Sequence, residues 1–184
     1  MQQSQSPSNS GAAQNSYPKK AYFTGPAKYN DFYAKVYTSR GVLYDKLKQF
    51  DDSISDMNEA IRLDPTYSRA RLELGVTYQD VGRTDEAIAS YGDAIRIRPD
   101  YSLALRNRGR LLTDKGEIDR AIADFDNAIR LDQRDGETFY FRGVAYQKKS
   151  NLEMAIVDYR KAHELLPSEE LPRTALKAHD DDPD

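Results

Sequence analysis

The chain has 184 residues, with 27 Lys+Arg against 30 Asp+Glu, two His, no Cys and no Trp. Its length suits one ordinary domain or a short repeat array and excludes a large multidomain enzyme. A formal net charge of -3 excludes general polycation character, and the lack of Cys excludes disulfides, thiolate metal sites and thiol nucleophiles together.

Hydrophobic residues make up 39% of the chain and charged residues 31%, which fits an elongated helical protein with much solvated surface. No apolar run is long enough to span a bilayer. Residues 1–16 are almost entirely Gln, Ser, Asn, Gly, Ala and Pro, which predicts a disordered leader. They lack the apolar stretch of a secretory signal. The compartment therefore stays open: cytoplasmic by default, periplasmic or exported if a signal has been removed. Residues 17–33 form an aromatic, Pro/Gly-containing linker and the start of the first helix. Here Tyr17, Tyr22, Phe23 and Tyr29 are interleaved with Pro18, Gly25, Pro26 and three lysines. Two readings stand side by side: a linker whose aromatics pack on the first helix, or a linear segment that docks into a groove here or on a partner. Asn30 is the expected N-cap of that helix, with Asp31 in its first turn.

Beyond Asn30 the sequence repeats itself. Gly41, Gly75, Gly109 and Gly143 are spaced by 34 residues, and Pro65, Pro99 and Pro167 fall on the same lattice, with Gln133 at the missed position. Other columns are Tyr44/Tyr78/Leu112/Tyr146, Ser53/Ala87/Ala121/Ala155, Met57/Tyr91/Phe125/Tyr159 and Ala60/Ala94/Ala128/Ala162. The columns describe helix pairs. A small residue lets two helices cross closely, an aromatic fills the adjoining volume, and the proline is expected to start the next helix. Apolar spacing within each unit is helical, as in Ala87, Ile88, Tyr91, Ala94 and Ile95. Thr84 before Asp85 and Glu86, and Ser150 with Glu153, are expected helix starts.

This pattern resembles the tetratricopeptide repeat, and the second unit carries it almost fully as Leu74-Gly75, Tyr78, Ala87, Tyr91, Ala94 and Pro99. Four units cover 34–67, 68–101, 102–135 and 136–169, followed by a capping helix and acidic tail over 170–184. The usual tryptophan position instead holds Tyr37, Arg71, Leu105 and Phe139, and Gln133 is expected to loosen the junction that follows it. The resemblance implies an all-α fold, a right-handed α-solenoid of antiparallel helix pairs. In the cap, Ser168 is expected to start the helix, with Leu171 and Ala175 covering the end of the array.

Three units place arginine before the crossing glycine, as Arg40, Arg108 and Arg142. The same three carry Asp56, Asp124 and Asp158 sixteen residues later. The remaining unit has Leu74 and Ser90. Arginine and aspartate thus occur together or not at all. This predicts an interhelical pair in which a planar guanidinium grips a carboxylate through two hydrogen bonds.

By the same resemblance, ligands lie on the concave face lined by the first helix of each unit. The third unit supplies Leu103, Arg106, Asn107, Arg110, Thr113 and Asp114 to it. The fourth supplies Glu137, Tyr140, Phe141, Val144, Gln147 and Lys148. Arg106, Asn107 and Arg110, with Arg69 from the preceding unit, are candidates to hold a carboxylate or a peptide backbone. Tyr140 and Phe141 are candidates to take an apolar anchor. The competing reading is that Arg106 and Arg110 pair with Asp80 or Asp114, and that the two aromatics are repeat packing. One subgroup of the family clamps the C-terminal carboxylate of heat-shock chaperones. The matching positions here are Thr38, Val42, Glu73, Leu103 and Asn107, of which only Asn107 is compatible, so that ligand is not expected.

No enzyme signature is present. His163 has no second titratable partner in helical register except Tyr159, and His179 leads into the acidic tail. No cofactor and no metal are expected. The expected function is a non-catalytic protein–protein interaction module that binds a peptide or protein segment, as a scaffold or assembly factor. One alternative is a structural subunit anchored through the N-terminal aromatic segment. A weaker one is an RNA-binding repeat, against which the net charge counts. The oligomeric state stays open.

Overall fold

The structure is a computed structural model that describes residues 25–177. The leader over 1–16, the aromatics Tyr17, Tyr22 and Phe23, His179 and the acidic tail lie outside the described residues, as does the Leu171 side chain. A 3-10 turn, Ala27–Tyr29, leads into α1 (Asn30–Lys46) and α2 (Phe50–Leu63). Then come α3 (Ser68–Asp80), α4 (Thr84–Ile97), α5 (Ser102–Asp114), α6 (Ile118–Leu131), α7 (Gly136–Lys148), α8 (Leu152–Leu165) and the short α9 (Glu170–Lys177). Each odd-numbered helix through α7 pairs with the helix after it, and the pairs stack into an α-solenoid. No described helix is long and apolar enough to cross a membrane.

The repeat columns form the core. Met57, Tyr91, Phe125 and Tyr159 are buried, as are Ala60, Ala94, Ala128 and Ala162. Each large side chain lies against the crossing glycine of its own pair. A Cβ added at Gly75 would sit 2.6 Å from Tyr91 Cε1, and one at Gly109 would sit 2.8 Å from Phe125 Cε1. The glycine is therefore there because no other residue leaves room for the ring.

The Arg–Asp pairs exist as expected in all three units. Arg40 grips Asp56 at 2.6 and 2.8 Å. Arg108 grips Asp124 at 2.7 Å through both contacts, and Arg142 grips Asp158 at 2.8 and 2.7 Å. In the first and last pairs the guanidinium also lies between two rings of its own helix. Arg40 sits over Tyr37 and Tyr44, and Arg142 over Phe139 and Tyr146. The second pair buries Leu74 and Ser90 instead. There Arg71, at the position where the family has tryptophan, reaches across to Asp93 at 3.4 Å.

Four local expectations are corrected. Ser150 does not cap α8: Asn151 does, accepting from the Met154 N–H at 3.2 Å, while Ser150 lies in a left-handed turn at φ 63°. Asn30 and Thr84 are the first helical residues, preceded by Tyr29 and Arg83 with no side-chain cap. The prolines sit in the turns after α2, α4 and α8 and do not open the next helix. A proline fits there because it cannot continue the helix just ended. Ser168 is likewise in a turn, and α9 starts at Glu170. At Gln133 the turn keeps the same form, with Asp132 Oδ1 accepting from the Arg134 N–H at 2.9 Å as Asp64 does from Thr66.

A further 34-residue column appears only in the backbone. Lys48, Gly82, Gly116 and Ser150 all have positive φ, at 59°, 76°, 83° and 63°. Each follows the first helix of a pair and turns the chain into the second. A Cβ at Gly82 or Gly116 meets nothing within 4 Å, so any cost there is purely conformational. Gly82→Ala and Gly116→Ala should each lose about 1 kcal/mol, and Lys48→Gly and Ser150→Gly should each gain roughly 0.5–1 kcal/mol. Urea denaturation of the four variants checks both signs.

Candidate functional site

Besides packing on its own partner helix, α1 lies against α3, and α5 lies against α7. The first helices therefore line the inner side of the stack. Their outward positions carry the candidate residues, and the structure divides that group in two.

Arg110, Tyr140 and Phe141 come together. With Thr113, Asp114 and Val144 they line an open recess of about 210 Å³ between α5 and α7. The Arg110 guanidinium stands 5.7 Å from the Phe141 ring centre, and Phe141 meets Tyr140 edge-on at 5.5 Å. This cation–π contact sets the Arg110 guanidinium against the aromatic wall of the recess. A second recess of about 140 Å³ lies on the other side of the aromatic pair, closed by Leu166, Glu169 and Pro172. Tyr140 and Phe141 thus form a wall between two small apolar hollows, and Tyr140 also stacks on Tyr159 at 5.8 Å.

Arg69, Arg106 and Asn107 do not join that recess. Arg69 is exposed and faces Glu73 on its own helix at 3.3 Å. Arg106 is held by Asp135 at 2.8 Å and by Glu137 at 2.7 Å, both from the following pair, and only 19% of its side chain is exposed. Its partners are neither Asp80 nor Asp114. Asn107 is engaged with the Tyr91 hydroxyl. Asp135 is the residue that sequence reasoning missed. It caps α7, accepting from the Thr138 N–H and hydroxyl, and fixes Arg106 as well. A signal for it existed, because the column Tyr33, Tyr67 and Tyr101 breaks at Asp135.

The inner face is electrostatically graded. Lys148 approaches Asp114 at 3.6 Å and donates to the Thr113 carbonyl at 3.1 Å beside the recess. Toward the first pair, one buried carboxylate oxygen of Asp45 has no hydrogen-bond partner. Partial desolvation and the Asp45 charge raise the Asp80 carboxyl, while Arg110 draws it back down.

The buried tyrosines reach this face through their hydroxyls. Tyr159 donates to Gln147 Oε1 at 2.6 Å, and Tyr91 to Gln79 Oε1 at 3.4 Å. Burial, with the Tyr140 and Asp158 neighbours, pushes Tyr159 from its ordinary 10.0 up to about 12. The folded state then holds this proton more tightly than the unfolded chain. That contribution is intact below the unfolded value and is lost as pH rises through the folded one. Unfolding free energy should fall between about pH 10 and 12, and Tyr159→Phe should flatten the decline in alkaline denaturation curves.

Family models described as tetratricopeptide repeat match residues 34–67, 72–136 and 136–169. No curated protein matches. Among solved structures, the fold is similar to a crystal structure of MamA protein, with TM-score 0.73 and 23% identity over 79% of this chain and 80% of that one. It is similar to PilF of Pseudomonas aeruginosa, with TM-score 0.74 and 18% identity over 81% of this chain and 68% of that one. It is also similar to the first TPR of Spaghetti (RPAP3), bound to the HSP90 peptide SRMEEVD. That match has TM-score 0.59 and 25% identity, over 60% of this chain and 88% of that one.

Proposed function

Because the chain belongs to the tetratricopeptide-repeat family, whose fold serves protein–protein interaction, we propose that it binds an extended peptide segment along α5 and α7. The recess walled by Phe141, Tyr140 and Val144 and edged by Arg110 carries this reading. It offers a rigid apolar surface for one anchoring side chain, the kind of contact that dominates interface energy. Arg110 adds donors for a carbonyl or carboxylate of the same segment. The anchored segment serves scaffolding or complex assembly, and the site performs no chemistry.

The ligand differs from the chaperone-derived peptide held by the first TPR of Spaghetti. At the corresponding positions Thr38 is buried with its hydroxyl given to the Ala34 carbonyl, and Glu73 is a carboxylate already facing Arg69. Neither could receive a C-terminal carboxylate.

Selection from a displayed library of random peptides tests the proposal. Enriched sequences should share an aromatic or large aliphatic residue, and their binding should fall at least about tenfold on Phe141→Ala, the loss expected for an anchor worth ~1.4 kcal/mol. Peptides that bind the parent and Phe141→Ala equally would overturn it.

A further inference from the structure

The two ends of the array are finished differently. At the C-terminal end α9 packs on α8, with Pro172 buried. At the other end α1 leaves Phe32, Val36 and Leu43 exposed, with Tyr29 and Leu47 exposed just before and after it. The repeat shows what two of these positions do elsewhere. The Val36 column continues as Ala70, Ala104 and Thr138, and the Leu43 column as Thr77, Leu111 and Ala145. All six are buried. They lie where a first helix meets the pair before it, as the Ser53–Thr77 hydroxyl contact between α2 and α3 at 2.9 Å shows. In α1 the same columns carry Val and Leu, with no helix pair among the described residues before them; Val36 is 45% and Leu43 59% exposed. Terminal repeats of a solenoid ordinarily turn a polar face to water. This one presents an apolar stripe built for a cover.

We propose that residues 17–24 of the same chain are that cover, with Tyr22 and Phe23 seated over Phe32, Val36 and Leu43 and Tyr17 further along. Three of those eight residues are aromatic, and they join the fold at Gly25, beside the start of α1. From Phe32 to Leu43 the helix runs about 16 Å at ~1.5 Å per residue. Eight residues reach at most roughly 27 Å, so the segment spans the stripe. Tethering also favours this occupant over a second copy, because a short linker holds its segment at an effective concentration in the millimolar range.

The test uses the full chain with Phe23 replaced by a photo-cross-linking benzophenone residue. Cross-links should form within one chain, to α1, in a yield independent of protein concentration. In hydrogen exchange, Tyr22→Ser with Phe23→Ser should speed the α1 amides about tenfold. Leu43→Glu should act alike, and adding it to the leader variant should bring little more. The leader substitutions leave residues 25–177 intact, so they read the cover and not the array. Unchanged α1 exchange in the leader variant would overturn the proposal. So would cross-links between chains that grow with concentration, which would assign the stripe to a second copy.

Discussion

Asp124→Ser should melt roughly 6–12 °C below the parent, the shift expected of ~3 kcal/mol in an array of this size. The carboxylate is 7% exposed, and it accepts both hydrogen bonds that Arg108 makes across the α5–α6 crossing. Removing it strands a guanidinium that keeps only 23% of its side chain in water. Breaking such a pair costs far more than replacing it, because the surviving charge has lost its partner and not regained its solvent. The second pair shows the replacement already made. Leu74 and Ser90 are both buried there, and the Ser90 hydroxyl donates to the Glu86 carbonyl at 2.8 Å. Arg108→Leu with Asp124→Ser should therefore recover about 2 kcal/mol of the loss. A single variant that loses less than ~1 kcal/mol would mean that Arg108 swings out to water, and the pair would then be ornamental. The expected cost is smaller for Asp158, since Arg142 also holds Asp126 at 2.6 Å.

Gly75→Ala should cost about 3 kcal/mol, the upper range for forcing a methyl group into a packed core. The added Cβ would lie 2.6 and 2.7 Å from two atoms of the Tyr91 ring, which is rigid and fully buried. Gly41→Ala is the control. Its nearest neighbour is the terminal methyl of Met57 at 2.8 Å, the free end of a flexible side chain that can move aside. That variant should lose less than ~1.5 kcal/mol, and urea midpoints for the two should separate accordingly. Equal losses would locate the cost in the helix backbone and not in the ring.

Much of the fold could be read in the residues because its contacts recur. Arg40–Asp56, Arg108–Asp124 and Arg142–Asp158 are one contact written three times at one spacing, and Leu74–Ser90 is the exception that confirms it. The crossing glycines and their ring partners were legible for the same reason. Capping was less so. Ser150 and Asn151 are adjacent residues that both cap helices well, and only the turn geometry places Ser150 at positive φ and Asn151 at the helix start. The left-handed turn column went unread because Lys48 and Ser150 hide a position that Gly82 and Gly116 announce.

The candidate site was legible as a face and not as a set of partners. Helical register put Arg106, Arg110, Tyr140 and Phe141 on the inner side of their helices. It could not tell that Arg106 is already held by Asp135 and Glu137 while Arg110 lies on Phe141. The sequence by itself determined the period, the helix pairs, the crossings and the paired arginines, all of which rest on contacts repeated within a unit at fixed separation. Only the tertiary structure decided which arginine is held by carboxylates, which lies against an aromatic ring, and which apolar side chains of α1 stay exposed. Those outcomes depend on how one pair settles against the next, through contacts made once, between residues that no repeat spacing links.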